Sequence, residues 1–423
     1  MRILLVGGGG REHALAWKLR QSAHCDTLYA APGNAGIAQL AECVPIAPKA
    51  ISELVAFAQQ NAIDLVVVGP ESPLIAGLAD ALHEANIPCF GPSRAAAQLE
   101  GSKAFAKHLM AQVNAPTAPF AVFDQPEEAH AYLRERFIQR PCVIKADGEA
   151  LGKGVFVCET LSDALDAVEF LMVERGLGEA GQRIVIEDRL HGREMSLLCL
   201  TDGNTASPMP PVRDYKRALD GDRGPNTGGM GCYTPLPDAT PELIQTAMSQ
   251  IVRPVIAEMA RRGTPYQGVL YAGLMVQDEQ PYTLEFNCRF GDPETQVLMP
   301  LLESDLIELA MATIAERLHT TPLQFSNRAA VCVVLASGGY PHEYRTGLPI
   351  EGLEAASQLP NVQIFHAGTR AEGGRIVTSG GRVLNIVGLG ATLADARENA
   401  YRAVEQIQFE GMHYRSDIAQ SVL

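Results

Sequence analysis

Four consecutive glycines, Gly7-Gly8-Gly9-Gly10, follow the aliphatic run 3–6 and lead through Arg11-Glu12-His13 into a helical pattern reaching about residue 21. A short apolar strand, a glycine turn and a helix read as the first half of a strand-helix-strand crossover. The same grammar repeats. Apolar runs at 28–30, 65–68 and 89–90 alternate with helical stretches near 50–60 and 74–85, and each run closes on Pro32, Gly69-Pro70 or Gly91-Pro92. Such alternation predicts a doubly wound parallel sheet, whose ligands sit in the loops at the carboxyl ends of the strands.

Beyond residue 117 the pattern changes. Strand-like runs at 142–145, 155–158 and 184–187 enclose an acidic helix near 161–174 and read as a small α+β lobe. A third unit holds a Gly-, Pro- and charge-rich loop over 208–237, a helix near 241–262 and strands at 268–276 and 282–286. After Pro322 come strands at 329–336, 362–366, 375–378 and 383–388 and a helix near 393–407. The expected fold is therefore a multidomain α/β and α+β chain, which 423 residues are ample to build.

The chain carries 34 Lys plus Arg against 49 Asp plus Glu, a formal charge of −15, so neither a nucleic-acid backbone nor an anionic membrane is expected as partner. The nine cysteines are scattered without a C-x-x-C, which points to reduced thiols rather than a disulfide framework. The opening apolar run is too short for a signal segment, and none reaches the length of a membrane span; a cytoplasmic chain is expected.

Each distinctive stretch offers chemistry and a plainer alternative. The N–H groups of 7–13 at a helix start suit an anion, or make only a tight turn. A dinucleotide fingerprint fails there, because Glu12 and His13 stand where glycine is needed and no acidic residue closes the second strand. In 145–155, Lys145 and Lys153 bracket a glycine-rich turn; Asp147 and Gly154 exclude a Walker A loop, leaving a lid over a triphosphate or a solvated hairpin. Glu187 to Leu190 end a strand and Glu194 follows, a pattern that can hold adenine on backbone groups and ribose on the later carboxylate, or simply be solvated.

Glu285, Asn287 and Arg289 alternate onto one strand face, which offers two hard oxygens for Mg²⁺ and a cation beside them; Asp292 and Glu294 follow where an ammonium could bind. A salt-bridged structural strand would leave the Asn unexplained. The loop 224–231, with Asn226 among four glycines, follows Asp214-Tyr215-Lys216-Arg217 and either offers N–H donors to an oxyanion or is a surface loop. No G-x-S-x-G or H-E-x-x-H occurs, and His13, His191 and His366 read as loop or packing residues.

The collinear series GGGGREHAL, APGNAG, VVGPESPL, SKAFAKHLM, KADGEALGKGV, GPNTGGMG, GVLYAGLM, EFNCRFGDPETQ, GGYP, HAGT and GMHYRSDI resembles the phosphoribosylamine-glycine ligases, or glycinamide ribonucleotide synthetases, of the ATP-grasp superfamily. The resemblance covers essentially the whole chain. It implies an N-terminal substrate domain (1–101), a connecting segment (102–122), an ATP-grasp lid (123–192), a central catalytic domain (193–326) and a C-terminal domain (327–423). It also implies ligation of glycine to 5-phosphoribosylamine at the expense of ATP in purine biosynthesis, with Mg²⁺ or Mn²⁺ as cofactor. A transient contact with the preceding enzyme of that pathway is left open.

Carried over by position, the resemblance implies nucleotide phosphates on Lys103 and Lys145, with Lys153 beside them, and adenine and ribose on Glu187, Leu190 and Glu194. Metal would sit on Glu285 and Asn287, and phosphoribosylamine on Gly9, Gly10, Arg11, Glu12, Pro32, Gly33, Asn34, Gly69, Pro70 and Glu71. Lys145 and Arg289 would meet developing charge, while Asp214, Asp292 and Glu294 would take the glycine ammonium near Asn226. Departures from the usual motifs are Gly8 for Asn, Glu149 and Leu151 in the lid, and Arg213 and Tyr215 around Asp214. A further carboxylate found in many superfamily members thirteen residues before the first metal ligand is here Ala272. The competing readings are a biotin carboxylase-like ligase, a nicotinamide oxidoreductase and a nucleotide-binding regulator.

Overall fold

A computed structural model describes residues 1–137, 140–148 and 154–422. Its N-terminal sheet has five parallel strands in the order Glu42–Cys43, Thr27–Pro32, Arg2–Gly7, Leu65–Val68 and Cys89–Phe90. Strand order reverses on either side of Arg2–Gly7, so the loops that follow Gly7, Pro32 and Val68 lie side by side along one edge, at the switch point where such sheets bind ligands. The helical stretch expected near 74–85 is two helices, Glu71–Ala76 and Leu78–Glu84, broken at Gly77, whose φ of +100° suits glycine.

The small lobe is an antiparallel sheet ordered Phe120–Phe123, Ile184–Asp188, Cys142–Ala146 and Val155–Cys158. Helices Pro126–Arg136 and Leu161–Val168 close its own apolar core, whose buried members run from Ala129 to Ile186 with Phe123 packed against them. Arg193–Asp202, unnoticed in the sequence because it is buried along most of its length and shows no alternation, pairs with Gln267–Gln277, which pairs in turn with Gln280–Asn287. The register slips between Gly273 and Leu274, so that Glu285 faces Gly273, Thr283 faces Leu274, and Leu284 is skipped. A bulge of this kind re-aims a strand and is common beside active sites.

The helix expected over 241–262 is interrupted. Pro241–Ala247 passes through a π-turn, Met248–Val252, into Arg253–Arg261; Pro254 has no N–H for the regular ladder, which accounts for a break at this point. The last sheet crosses the expected boundary at 326. Its order is Arg213–Asp214, Gly231–Thr234, Ala329–Ala336, Arg382–Gly390, Val362–His366, so two strands of the loop 208–237 complete a sheet whose other three lie beyond residue 327. No helix among the described residues is long and apolar enough to cross a membrane.

Candidate active site

The helix Lys103–Gln112 starts on a Ser102 cap, and Asp147 from the small lobe accepts both the Ser102 hydroxyl (2.9 Å) and the Ala104 N–H (2.7 Å). A carboxylate on a helix N-terminus complements its free N–H groups. This anchoring directs Lys103 at Glu285, 3.3 Å away. Burial disfavours ionised Glu285, but Lys103, Lys216 and Lys145 outweigh it and bring the carboxyl down to about 2. Asn287 Oδ1 accepts from Arg289 at 3.1 Å, which leaves a second lone pair free.

Lys145 is ion-paired with Glu187 and donates to the carbonyl of Leu284 at 2.8 Å, the residue skipped by the bulge. Glu187 is therefore not a free hinge carboxylate. Its side chain is buried between Lys145 and Lys107, and those two cations hold it below the usual range against the cost of burial. Neither carboxylate oxygen is left over for an adenine or ribose. Leu190 lies half-buried just past the strand, and Glu194 pairs with Lys216 at 2.9 Å. Lys153, Glu149 and Leu151 lie outside the described residues.

Along the edge of the parallel sheet, Glu12 Oε2 caps its own helix by accepting the Gly9 N–H at 2.6 Å, while Oε1 accepts from Arg11. Glu71 receives Arg11 (3.4 Å) and Arg289 (3.3 Å), and these overcome burial to set it at about 2. Gly8, Gly9 and Pro70 are half-buried beside Pro32 and Gly33, while Gly10 and Gly69 are buried, the first against Asn385 and Gln296 and the second against Glu12. The Asn34 side chain has no capacity left for a substrate: it donates to Gly8 O and His366 O and accepts from the N–H groups of Gly36 and Ile37. Its part is to tie this loop to the last sheet.

Arg289 also departs from expectation. The strand ends at Asn287, and the guanidinium turns to Glu71 and Glu100 instead of standing beside Glu285 as a free cation. Glu100 was not singled out from the sequence; nothing in its local pattern distinguishes it from a solvated helix residue. Asp292 is likewise engaged, by Arg382 (3.4 Å) and Gln296 (2.6 Å), which makes it a poor holder of an ammonium group. Asp214 and Glu294 remain. Burial pushes Asp214 up to about 7, with Lys216 opposing and Glu294 and Glu194 adding to the rise. Glu294 accepts from Tyr271 at 3.0 Å and Ser196 at 3.3 Å.

The loop 224–231 spends its donors internally. Gly228 N–H goes to Tyr340 Oη, Gly229 N–H to Thr227 Oγ1, Thr227 N–H to Lys216 O and Met230 N–H to Tyr215 O, so it is no ready oxyanion cradle. Asn226 lies exposed on the ribbon formed by Arg217–Leu219 and Arg223–Asn226.

Family models for phosphoribosylglycinamide synthetase match the N domain over 1–100, the ATP-grasp domain over 101–295 and the C domain over 330–421. The chain belongs to the phosphoribosylglycinamide synthetase family. Proteins named phosphoribosylamine–glycine ligase from Rhodopirellula baltica and Brucella melitensis are 46% and 49% identical to it, over 100% and 99% of this chain and 98% and 97% of theirs. The crystal structure of the Thermotoga maritima ligase of that name superposes with a TM-score of 0.85 at 34% identity, covering 99% of this chain and all of that one. A biotin carboxylase from Campylobacter jejuni shares the fold at a TM-score of 0.74 but only 15% identity, over 98% and 93% of the two chains.

Against the usual motifs of phosphoribosylglycinamide synthetases, this chain's departures have local reasons. A Cβ on Gly8 would stand 2.4 Å from the Gly33 carbonyl oxygen, so the usual Asn does not fit this loop packing. Tyr215 stacks under Arg415 (4.7 Å) and accepts the Ala419 N–H, and Arg213 pairs with Asp238 at 2.9 Å. Ala272 faces Phe286 on the apolar side of the sheet. The position opposite Glu285 is Gly273, so neither residue supplies a further carboxylate.

Proposed function

We propose that this member of the family joins glycine to 5-phosphoribosylamine, forming glycinamide ribonucleotide, ADP and phosphate. The observation that carries this reading is the ion pair of Lys103 with Glu285 at the end of one strand, with Lys145 and Lys216 near enough to lower the same carboxyl, beside half-buried Asp214 and buried Glu294. Cations around a half-buried hard carboxylate suit a nucleotide phosphate chain, and carboxylates close by suit an ammonium.

Glu285 and Asn287 fit Mg²⁺ or Mn²⁺: an ionised carboxylate and an amide oxygen with a spare lone pair, two residues apart on one strand. When bound, such an ion neutralises phosphate charge and draws the transferring group into line. Lys103 and Lys145 hold the phosphates, and Glu194 with the backbone at Glu187 to Leu190 holds the nucleoside. Asp214, ionised, and Glu294 orient glycine by its ammonium so that a carboxylate oxygen attacks the terminal phosphorus of ATP while the bond to the bridging oxygen breaks and ADP leaves. Attack matters because a bare carboxylate would have to expel oxide; the acyl phosphate formed instead releases phosphate when the phosphoribosylamine nitrogen attacks carbon and loses a proton. The floor of Gly9 to Arg11, Pro32, Gly33 and Gly69 to Glu71 presents that amine. The nine cysteines are all free thiols, which suits a cytoplasmic enzyme.

Replacing Glu285 by Ala tests the reading. ADP release dependent on both glycine and phosphoribosylamine should fall about 100-fold or more at limiting Mg²⁺, the scale of losing a charge-stabilising group. A wild-type rate overturns the metal assignment, and ADP release with bicarbonate plus biotin in their place overturns the substrates.

A further inference from the structure

Lys107 lies one helical turn after Lys103 on the same face of the helix Lys103–Gln112, yet it does not reach the Glu285 carboxylate. It is 2% exposed, a rare state for a lysine without a dedicated partner. Its ammonium is ion-paired with one oxygen of Glu187 and donates to Thr117 Oγ1 at 2.6 Å; that hydroxyl donates on to the Thr283 carbonyl at 2.8 Å. The other oxygen of Glu187 holds Lys145, whose remaining anchor is the bulge carbonyl of Leu284. Thus one buried carboxylate is shared by two lysines, and both lysines lean on the same strand, at Thr283 and Leu284.

Sharing has an electrostatic consequence. Two ammonium groups and one carboxylate carry a net charge of +1, whereas Lys145 and Glu187 alone would cancel in a site where little water is present to separate them. We propose that Lys107 is a positioning residue for nucleotide binding: by occupying half of Glu187 it fixes Lys145 in place and leaves the pair's surplus positive charge for the phosphates of ATP. The inference rests on the reading of Lys145 as a phosphate ligand given above.

The experiment is a double-substitution cycle on the full-length enzyme with Lys107→Met, Lys145→Met and the two combined, read by calorimetric titration of MgATP and by KM for each substrate. Lys107→Met should weaken MgATP binding about ten-fold and leave KM for glycine and phosphoribosylamine within about two-fold; on the Lys145→Met background it should add less than about two-fold, since coupled residues are non-additive. Lys107→Arg, which keeps the charge, should recover most of the loss. Unchanged MgATP binding in Lys107→Met, full additivity in the double variant, or an equal rise of all three KM values overturns the proposal. If Lys145→Met itself leaves MgATP binding unchanged, the nucleotide reading of Lys145 falls and this inference with it. If Lys145→Met weakens binding and Lys107→Met does not, this inference alone falls. Should Lys107→Met not fold, Thr117→Val removes the anchor while keeping both charges: a loss of about three-fold in MgATP affinity supports the link, and none overturns it.

Discussion

A carboxyl raised to about 7 gives the proposed glycine site its own pH signature. Because Asp214 is raised to about 7, mainly by burial, it is largely protonated at pH 6 and ionised at pH 8. An ammonium binds the ionised form, so KM for glycine should drop about ten-fold between those pH values, as expected for a group moved across its pKa. Asp214→Asn should raise KM for glycine and flatten that profile. The sign for stability is opposite: a folded pKa above the unfolded value of 3.8 means the group costs stability as pH rises from there through 7. Glycine should therefore raise the melting temperature more at pH 8 than at pH 6. Gly8→Asn, the usual family residue, should raise KM for phosphoribosylamine several-fold here, because its Cβ displaces Gly33; unchanged kinetics would show that the loop yields freely. At this scale the sequence yielded types and spacings. Glu285, Asn287 and Lys145 stand out by residue type and spacing and Lys103 by the resemblance alone, whereas the engagement of Asn34, Arg289 and Asp292 depends on partners as far as 333 residues away, such as the His366 and Ala367 carbonyls that receive Asn34.

Elements show the same division. The strands at 155–158, 329–336, 362–366 and 375–378 are where their apolar runs put them, since local pattern decides an edge or a fully buried run. The bulge at Leu284 was invisible, because its cause is the pairing of two strands, and so was the way Glu187 is claimed by two lysines. Helix Gly10–Leu19 illustrates how tightly elements meet near the site. A Cβ on Gly10 would lie 2.3 Å from Asn385 Nδ2 and 2.6 Å from Gln296 Nε2, where the first helix touches both the last sheet and the helix Glu294–Leu298. Gly10→Ala should cost about 1–3 kcal/mol by overpacking, despite alanine's better helix propensity; a denaturant midpoint equal to or above wild type would refute that packing.

On the scale of the molecule, acidity is uneven: six basic against nine acidic residues in 1–101, 20 against 31 in 102–326 and eight against nine in 327–423. The surplus sits in the stretch that carries the proposed metal and ammonium sites, which reconciles an acidic chain with anionic ligands held locally. Cohesion is uneven too. The small lobe has a separate core, while two larger clusters, one from Leu4 to Ala419 and one from Ile3 to Leu389, each span the N-terminal, central and C-terminal units. Scanning calorimetry should accordingly resolve a minor transition for the lobe and a major one for the remainder, and a single two-state transition would count against independent cores. Residues 327–423 produced alone should stay unfolded or associate, because Ala329–Ala336 would lose its neighbour Gly231–Thr234 and present a bare edge. That shared sheet has a practical corollary. A backbone cut at 326 would yield two polypeptides, each holding strands the other must complete, so recovered ligation would report their meeting, and the enzyme becomes a scaffold for detecting whether two fused passengers come together.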